Sequence, residues 1–385
     1  MMAGSPDGTW DVVIAGASFA GLAAARALAG PSAGDPPAPA GAGAPGWPSA
    51  RAGKLGCAQP TPRVLLLDAR PIGEGVTSAC AAPVRVVRLM GAEAAIAQVH
   101  DELVVHTPDG AVRWPLPEPF CTFDYRTFCR QAAQGCEATF RLARVRGRQG
   151  RRVLTSAGAI EARFMVDATG PAAALAGRGR PRYVAFGIES EVPAAVETGL
   201  HFHFLPDLRD GYAWAFPAGD RTRFGVLSYR GRTKLLPVLR GFMARFGLAP
   251  GDLHGGYLAT GWTAGVADGV FVAGDAAGHC LPLSGEGIRT AVLAGLRCGT
   301  LLRQVLDGRL AEARAQDAYR AYLAAARRRY RALLLGNLLL LGLPRRALGP
   351  AVRWLARPSV QRWFFAHYMR ILDGARPVGR APARA

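Results

Sequence analysis

Residues 11–29 read DVVIAGASFAGLAAARALA, and residues 270–291 read VFVAGDAAGHCLPLSGEGIRTA. The first stretch begins as an apolar strand from Asp11 to Ala15, turns through Gly16-Ala17-Ser18-Phe19-Ala20-Gly21, and continues as a small-residue helix over Leu22 to Ala29. A buried strand that feeds such a turn into a helix aims unpaired backbone N–H groups at whatever lies before the helix, which is the geometry a pyrophosphate requires. Gly16, Ser18, Phe19, Ala20 and Gly21 are the residues placed to meet it. Ser18 stands where the usual middle glycine admits the closest approach, so the phosphate there faces a small side chain.

Residues 31–62 are rich in Pro, Ala and Gly and lack apolar periodicity, which reads as a disordered or extruded insertion. Val64 to Leu67 then resumes as a second buried strand ending at Asp68, followed by Ala69. A carboxylate at that strand end can accept both ribose hydroxyls of an adenosine; an Asp capping its own turn is the alternative. In the second stretch, Gly274-Asp275 at a strand end sets a carboxylate where it can hold ribityl hydroxyls. The helix beginning near Gly285-Glu286-Gly287 presents N–H donors and a positive dipole end that would stabilise a reduced isoalloxazine. The two motifs together predict noncovalent FAD, with Gly274, Asp275, Pro282, Gly285, Glu286, Gly287 and Ile288 on the flavin side.

The 385 residues, half of them hydrophobic, can bury a sizeable core and fit two intimately connected domains. Asp124 to Gln134 is expected to be helical and Phe140 to Asp167 a β-meander. Residues 183–262 alternate as an antiparallel sheet would, with one helix near 234–246, and a long apolar helix runs from Gly287 to Leu306. The expected fold is α/β: a Rossmann-like FAD-binding domain (9–80, 120–182, 268–326), an antiparallel β-sheet substrate domain (81–119, 183–267) and a helical, basic and apolar C-terminal region (327–385).

A net charge of +19 favours anionic partners, yet no nucleic-acid-binding pattern occurs, so no nucleic acid partner is expected. Seven scattered cysteines without a C-x-x-C pair, and an N-terminus that lacks secretory features, point to the cytoplasm. The run LLLGNLLLLGL at 333–343 is short of the roughly 20 residues that cross a bilayer. The arginine-rich apolar tail is expected either to lie against an anionic membrane surface at the inner face or to pack over the protein's own apolar surface. His201 and His203 share one side of a strand, but with no carboxylate or cysteine nearby in sequence no metal is expected.

Three segments, GASFAGLAAARALA (16–29), GYAWAFPAGD (211–220) and GDAAGHCLPLSGEGIRTAVLAG (274–295), resemble the geranylgeranyl reductase family, within the flavoprotein group that also contains aromatic hydroxylases. The resemblance spans roughly 11–322 apart from the insertion. It implies FAD-dependent reduction of carbon–carbon double bonds in isoprenoid chains of lipids, quinones or pigments, with electrons from NAD(P)H or a reduced protein carrier. It places Tyr212, Trp214, Phe216 and Pro217 at a hydrophobic substrate cavity, although alternation alone reads the aromatics as ordinary core. Cys80, in GVTSACAAP, resembles a family cysteine facing the flavin, as a substrate guide or proton source, while a small buried hydrophobe is the alternative. In FDYRTFCR the resemblance expects an arginine over FAD; Tyr125 occupies that place and Arg126 follows.

Two other functions fit the flavin motifs. A hydroxylase or other monooxygenase would take an aromatic or polyketide-like substrate, but VDATGP (166–171) lacks the Asp-Gly pattern associated with pyridine-nucleotide docking in hydroxylases. An electron-transfer protein to quinone would rely on flavin alone, since no cysteine cluster offers an iron–sulfur site.

Overall fold

The computed structural model describes residues 9–30, 61–177, 183–208, 210–231 and 233–373. The insertion expected at 31–62 lies outside the described residues except for its last two. Chain order alternates between two sheets. β1 (Trp10–Ala15), α1 (Phe19–Ala29) and β2 (Val64–Asp68) make the first unit, with Val12 in parallel register with Val64 and Ala15 with Leu67. The chain leaves for β3 (Ala81–Pro83), α2 (Val84–Leu89), β4 (Ile96–Thr107) and β5 (Gly110–Phe123). It returns through α3 (Tyr125–Gln134), β6 (Thr139–Leu142), β7 (Val145–Gln149), β8 (Arg152–Thr155) and β9 (Gly158–Asp167). A second excursion carries β10 (Tyr183–Pro193), β11 (Leu200–His203), β12 (Gly211–Ala218), β13 (Arg221–Ser228), α4 (Leu235–Ala244) and β14 (Leu253–Thr260). β15 (Val266–Ala267), β16 (Val270–Val272) and α5 (Ile288–Leu306) then rejoin the first sheet, and α6 (Glu312–Gly342), α7 (Arg345–Leu355) and α8 (Pro358–Tyr368) follow.

The first sheet has the order β15-β16-β9-β1-β2-β6, parallel except at β15, and β7-β8 extends from β9. A parallel sheet covered on both faces needs near-continuous apolar runs, and residues 12–15 of β1 and 64–67 of β2 supply them. Val12 and Ile14 point into a core shared with α1 and α5, whereas Val13 and Ala15 point to a core closed by Val153 and Ile160 of the β8–β9 ribbon. α1 and α5 approach closely because α5 carries glycine where they meet: a Cβ at Gly295 would stand 2.2 Å from the Ala20 carbonyl, and one at Gly299 2.3 Å from that of Ala24. The small-residue character of α1 serves this contact as much as the turn before it.

The second sheet runs β14-β10-β13-β12-β11-β4-β5-β3. It is antiparallel except where β11 meets β4 in parallel, a junction that joins the two excursions. Period-two alternation gives its faces different tasks. Ala213, Ala215, Phe224 and Val226 pack under α4, while Tyr212, Trp214, Phe216 and Leu227 face the other way.

Two expectations change. β6 pairs in parallel with β2, so the meander starts at Val145 instead of Phe140. The boundary expected at 327 falls inside α6, whose 31 residues run unbroken for about 46 Å. Among the described residues no helix is long and apolar enough to cross a membrane.

Candidate functional site

A cavity of about 1700 Å3 runs from the turn after β1, between the two sheets, to the C-terminal helices. That exceeds the roughly 300–1,000 Å3 of a usual ligand pocket, leaving room for two molecules.

At one end lies the turn into α1. Gly16 has φ +104°, and a Cβ there would meet the Ala168 carbonyl oxygen at 2.2 Å; one at Gly21 would stand 1.8 Å from the Gly16 oxygen. Glycine is therefore required at both ends of the turn. Ser18 is the N-cap of α1 but makes no side-chain cap, so the first-turn N–H groups stay turned toward the cavity; its Oγ instead accepts from the Tyr125 hydroxyl at 3.0 Å. Ala17, Ser18, Phe19 and Ala20 line the wall, and Gly21 sits behind it. Asp68 Oδ2 accepts from Ala17 N at 2.8 Å and Oδ1 from Arg70 N at 3.0 Å. The carboxylate thus braces the turn and caps its own strand end, and each oxygen keeps a lone pair for the cavity.

The Gly-Asp segment forms the next wall. Asp275 follows β16, with Oδ2 accepting from Ala259 N at 3.1 Å. Burial pushes its carboxyl up to about 6, against the Ala259 N–H that lowers it. A largely buried carboxylate with so few donors fits a site completed by hydroxyl groups. Gly285, Glu286, Gly287 and Ile288 line the cavity, and α5 begins at Ile288 with Gly287 as its N-cap. A Cβ at Gly285 would stand 2.6 Å from the Tyr212 hydroxyl, so this loop touches the second sheet directly. The Glu286 carboxylate turns away to a bidentate pair with Arg289, at 2.7 and 2.9 Å, and only the rest of the residue borders the cavity. His279 is fully buried against Trp262, where burial holds its imidazole near 3 and neutral; it packs. These residues fit a flavin dinucleotide: an N–H turn, two carboxylates at strand ends and a helix N-terminus lie along one trough.

Three residues expected at the site lie outside the cavity lining. Arg126 is exposed and packs its backbone under Gly73; Tyr125, one residue earlier, lines the cavity because Asp124 caps α3 and turns the next side chain inward. Pro282 is buried and outside the lining. Pro217 is likewise outside it, and its carbonyl accepts from Thr122 at 2.6 Å and lies 3.1 Å from His100 Nε2.

Tyr212, Trp214 and Phe216 do line the cavity, on the face opposite α4. The Tyr212 hydroxyl donates to the Ser284 carbonyl at 2.6 Å. Cys80 sits beside them with φ +51°, its thiol donating to the Ser78 carbonyl at 3.3 Å. Burial pushes that thiol well up, with Arg223 opposing, so it holds its proton.

Sequence reasoning missed a polar group in this apolar wall. Glu189 Oε2 accepts from Trp214 Nε1 at 2.6 Å, and Oε1 lies 3.0 Å from His254 Nε2. The Glu189 side chain is only 4 % exposed, and both acid and imidazole border the cavity. Position parity was the available signal: Phe186 and Ile188 pack toward α4, so Glu189 had to point inward.

No family model matches the chain. A digeranylgeranylglycerophospholipid reductase of Methanococcus vannielii is 29% identical over 123 residues, a match spanning 29% of this chain and 30% of that relative. A geranylgeranyl bacteriochlorophyll reductase-like structure from Thermoplasma acidophilum superposes with a TM-score of 0.69 at 15% identity, covering 94% of this chain and 98% of that one. A probable FAD-dependent monooxygenase from Pseudomonas aeruginosa gives 0.63 at 17%, covering 90% and 100%. The chain therefore has the fold common to FAD-dependent reductases and monooxygenases, and its likeness to the geranylgeranyl reductase group, carried in sequence by three motifs, recurs in both the curated relative and the solved structure.

Proposed function

We propose that the protein is an FAD-dependent reductase of carbon–carbon double bonds in an isoprenoid chain. The observation that carries this reading is the far end of the cavity. Beyond Tyr212, Trp214 and Phe216 its lining continues through Leu339, Leu343, Val352 and Phe364, with Arg328 and Arg329 also on it. A long apolar passage with few polar groups suits a flexible hydrocarbon, and the guanidiniums suit an anionic head group.

In this reading the Gly16–Gly21 turn holds the pyrophosphate, Asp68 the ribose and Asp275 the ribityl chain. Reduced FAD, when bound, supplies the hydride. The chain's own residues align the alkene, exclude water and hold the proton that completes saturation. Trp214, fixed by its bond to Glu189, and Phe216, 6.3 Å from it between ring centroids, form a rigid wall. Glu189 Oε1 and His254 Nε2 lie within hydrogen-bond distance on that wall, and Cys80 Sγ donates to Ser78 O. We assign proton supply to the Glu189–His254 pair, because burial makes the thiol a poor acid.

Leu339, Trp354 and Trp363 line the cavity and are also 63, 52 and 61 % exposed, so they mark its opening. Leu335 and Leu338 extend the exposed apolar patch along α6. Such a rim, on an arginine-rich segment, fits an anionic lipid surface from which a lipid substrate would enter.

The test is anaerobic incubation of the chemically reduced, FAD-loaded protein with geranylgeranyl lipids and polyprenyl quinones, read by mass spectrometry. Gains in two-hydrogen steps are expected. Oxygen incorporation into an aromatic substrate, with no prenyl reduction across that panel, would assign the monooxygenase chemistry of the Pseudomonas neighbour instead.

A further inference from the structure

On the face of the second sheet turned away from the cavity, three imidazoles meet. His201 and His203 alternate inward along β11, and His106 arrives from β4, whose parallel register sets it directly beside His203. One ring nitrogen from each of the three lies within 4.8 Å of the other two. His106 Nε2 is 2.9 Å from His201 Nδ1, and the His106 and His203 rings stack with centroids 4.0 Å apart. The neighbouring strand leaves space for them: Ala215 stands opposite His201 and Ala213 opposite His203. His203 Nε2 is buried without a hydrogen-bond partner, an orphaned lone pair or N–H beside two further imidazoles.

We propose that His106, His201 and His203 bind one divalent cation of the zinc class, outside the flavin cavity. Neutral imidazole nitrogens suit such borderline ions. Tetrahedral coordination at roughly 2.0–2.1 Å spaces ligand nitrogens about 3.3 Å apart; the His106–His201 pair stands at 2.9 Å and the three ligand atoms lie within 4.8 Å, so binding the ion requires small side-chain shifts. His201 is already oriented as a ligand, its Nε2 2.9 Å from the Glu197 carbonyl, which selects Nδ1 as the free donor. His106 joins by carrying its proton on Nδ1, and water completes the shell. Of the nearby guanidiniums, Arg113 is engaged by Glu102 and Glu197, while Arg245 faces His203 from the end of α4 and opposes the ion. The ion would staple β4 to β11, the junction of two excursions that the chain makes separately.

The test uses untagged, full-length, FAD-loaded protein freed of metal by chelation. Calorimetric titration with Zn2+ should show one equivalent bound, and melting should shift upward with added Zn2+. His106→Gln and His203→Gln should each weaken binding by roughly tenfold or more with the flavin absorbance unchanged. Paramagnetic resonance of the Cu2+-loaded wild type needs no variant and should show coupling to several imidazole nitrogens. No stoichiometric uptake, unchanged binding in both variants, or a Cu2+ spectrum without nitrogen coupling would overturn the site.

Discussion

Arg289→Met tests what fixes the loop before α5. The Arg289 side chain has no exposed surface and makes a bidentate pair with Glu286, itself 6 % exposed. Its Nη1 also donates to the Ile371 carbonyl at 2.8 Å and the Met369 carbonyl at 3.3 Å, which ties the end of the described chain to the 285–287 loop. Methionine fills much of the volume but leaves the Glu286 charge buried and unpaired. Breaking such a pair costs about 3–5 kcal/mol. For 385 residues the unfolding entropy is roughly 0.8 kcal/mol/K, so melting should fall by about 4–6 °C. The double variant Glu286→Leu/Arg289→Met removes the orphaned charge and should recover at least half of the loss. Urea titrations followed by tryptophan fluorescence, with flavin content measured in parallel, supply the cycle. A single-variant loss below about 1 kcal/mol, or a double variant no more stable than Arg289→Met, would refute the argument that the buried charge is what the loop depends on.

Asp275 has its pKa raised in the folded state by burial, so its contribution is greatest below the unfolded value of 3.8 and is lost as pH rises through about 6. Flavin-free protein should therefore lose up to about 3 kcal/mol between those values, and Asp275→Asn should flatten the urea-midpoint curve across that window. Gly21→Ala forces a Cβ against the Gly16 oxygen and should cost about 1–3 kcal/mol together with most of the bound FAD, read by absorbance after gel filtration. In the alkene-reduction assay, Glu189→Gln should lower kcat by roughly 10²–10⁴ with KM little changed, while Cys80→Ala should cost less than about tenfold; the reverse order would return proton supply to the thiol. Replacing Trp354 and Trp363 together by Ser should abolish flotation with anionic liposomes at low salt, and wild-type protein absent from the lipid fraction at both low and high salt would reject the membrane rim.

The turn and the carboxylates proposed to hold the cofactor could be named from sequence because their information is local. Gly16, Gly21, Asp68 and Asp275 act through a turn or a strand end within a few residues, and a missing Cβ or a carboxylate at such a place has one geometric reading. At the start of α3, locality left the choice between adjacent residues open: Tyr125 lines the cavity and Arg126 does not. The capping bond from Thr127 N to Asp124 fixes the start of α3, and that phase sends Tyr125 inward and Arg126 out. A helix advances about 100° per residue, so naming the segment without its cap could not choose between neighbours.

The rest of the site depends on pairings that no local pattern encodes. Glu189 meets Trp214 only because β13 lies between their strands, with Gly225 in register with both. A Cβ at Gly225 would stand 2.0 Å from the Trp214 ring, so that glycine is what lets the indole lie across the sheet and reach the carboxylate. Read along the chain, Gly225 is an unremarkable glycine in a strand, Trp214 an alternating aromatic and Glu189 a charge out of phase. Only the register turns the three into one device: a wall residue held in place by an acid that also faces His254. The same holds for His106, 95 residues from His201 and invisible as its neighbour until β4 and β11 pair. Sequence therefore pointed to the turn and the strand-end carboxylates proposed for the flavin, while the Glu189–Trp214–His254 group proposed to act on the substrate emerged only from strand order. Under the proposed reading, substitutions at the paired positions Glu189, Gly225 and Trp214 are expected to change substrate class more than changes within the nucleotide motifs, as read by the alkene-reduction assay.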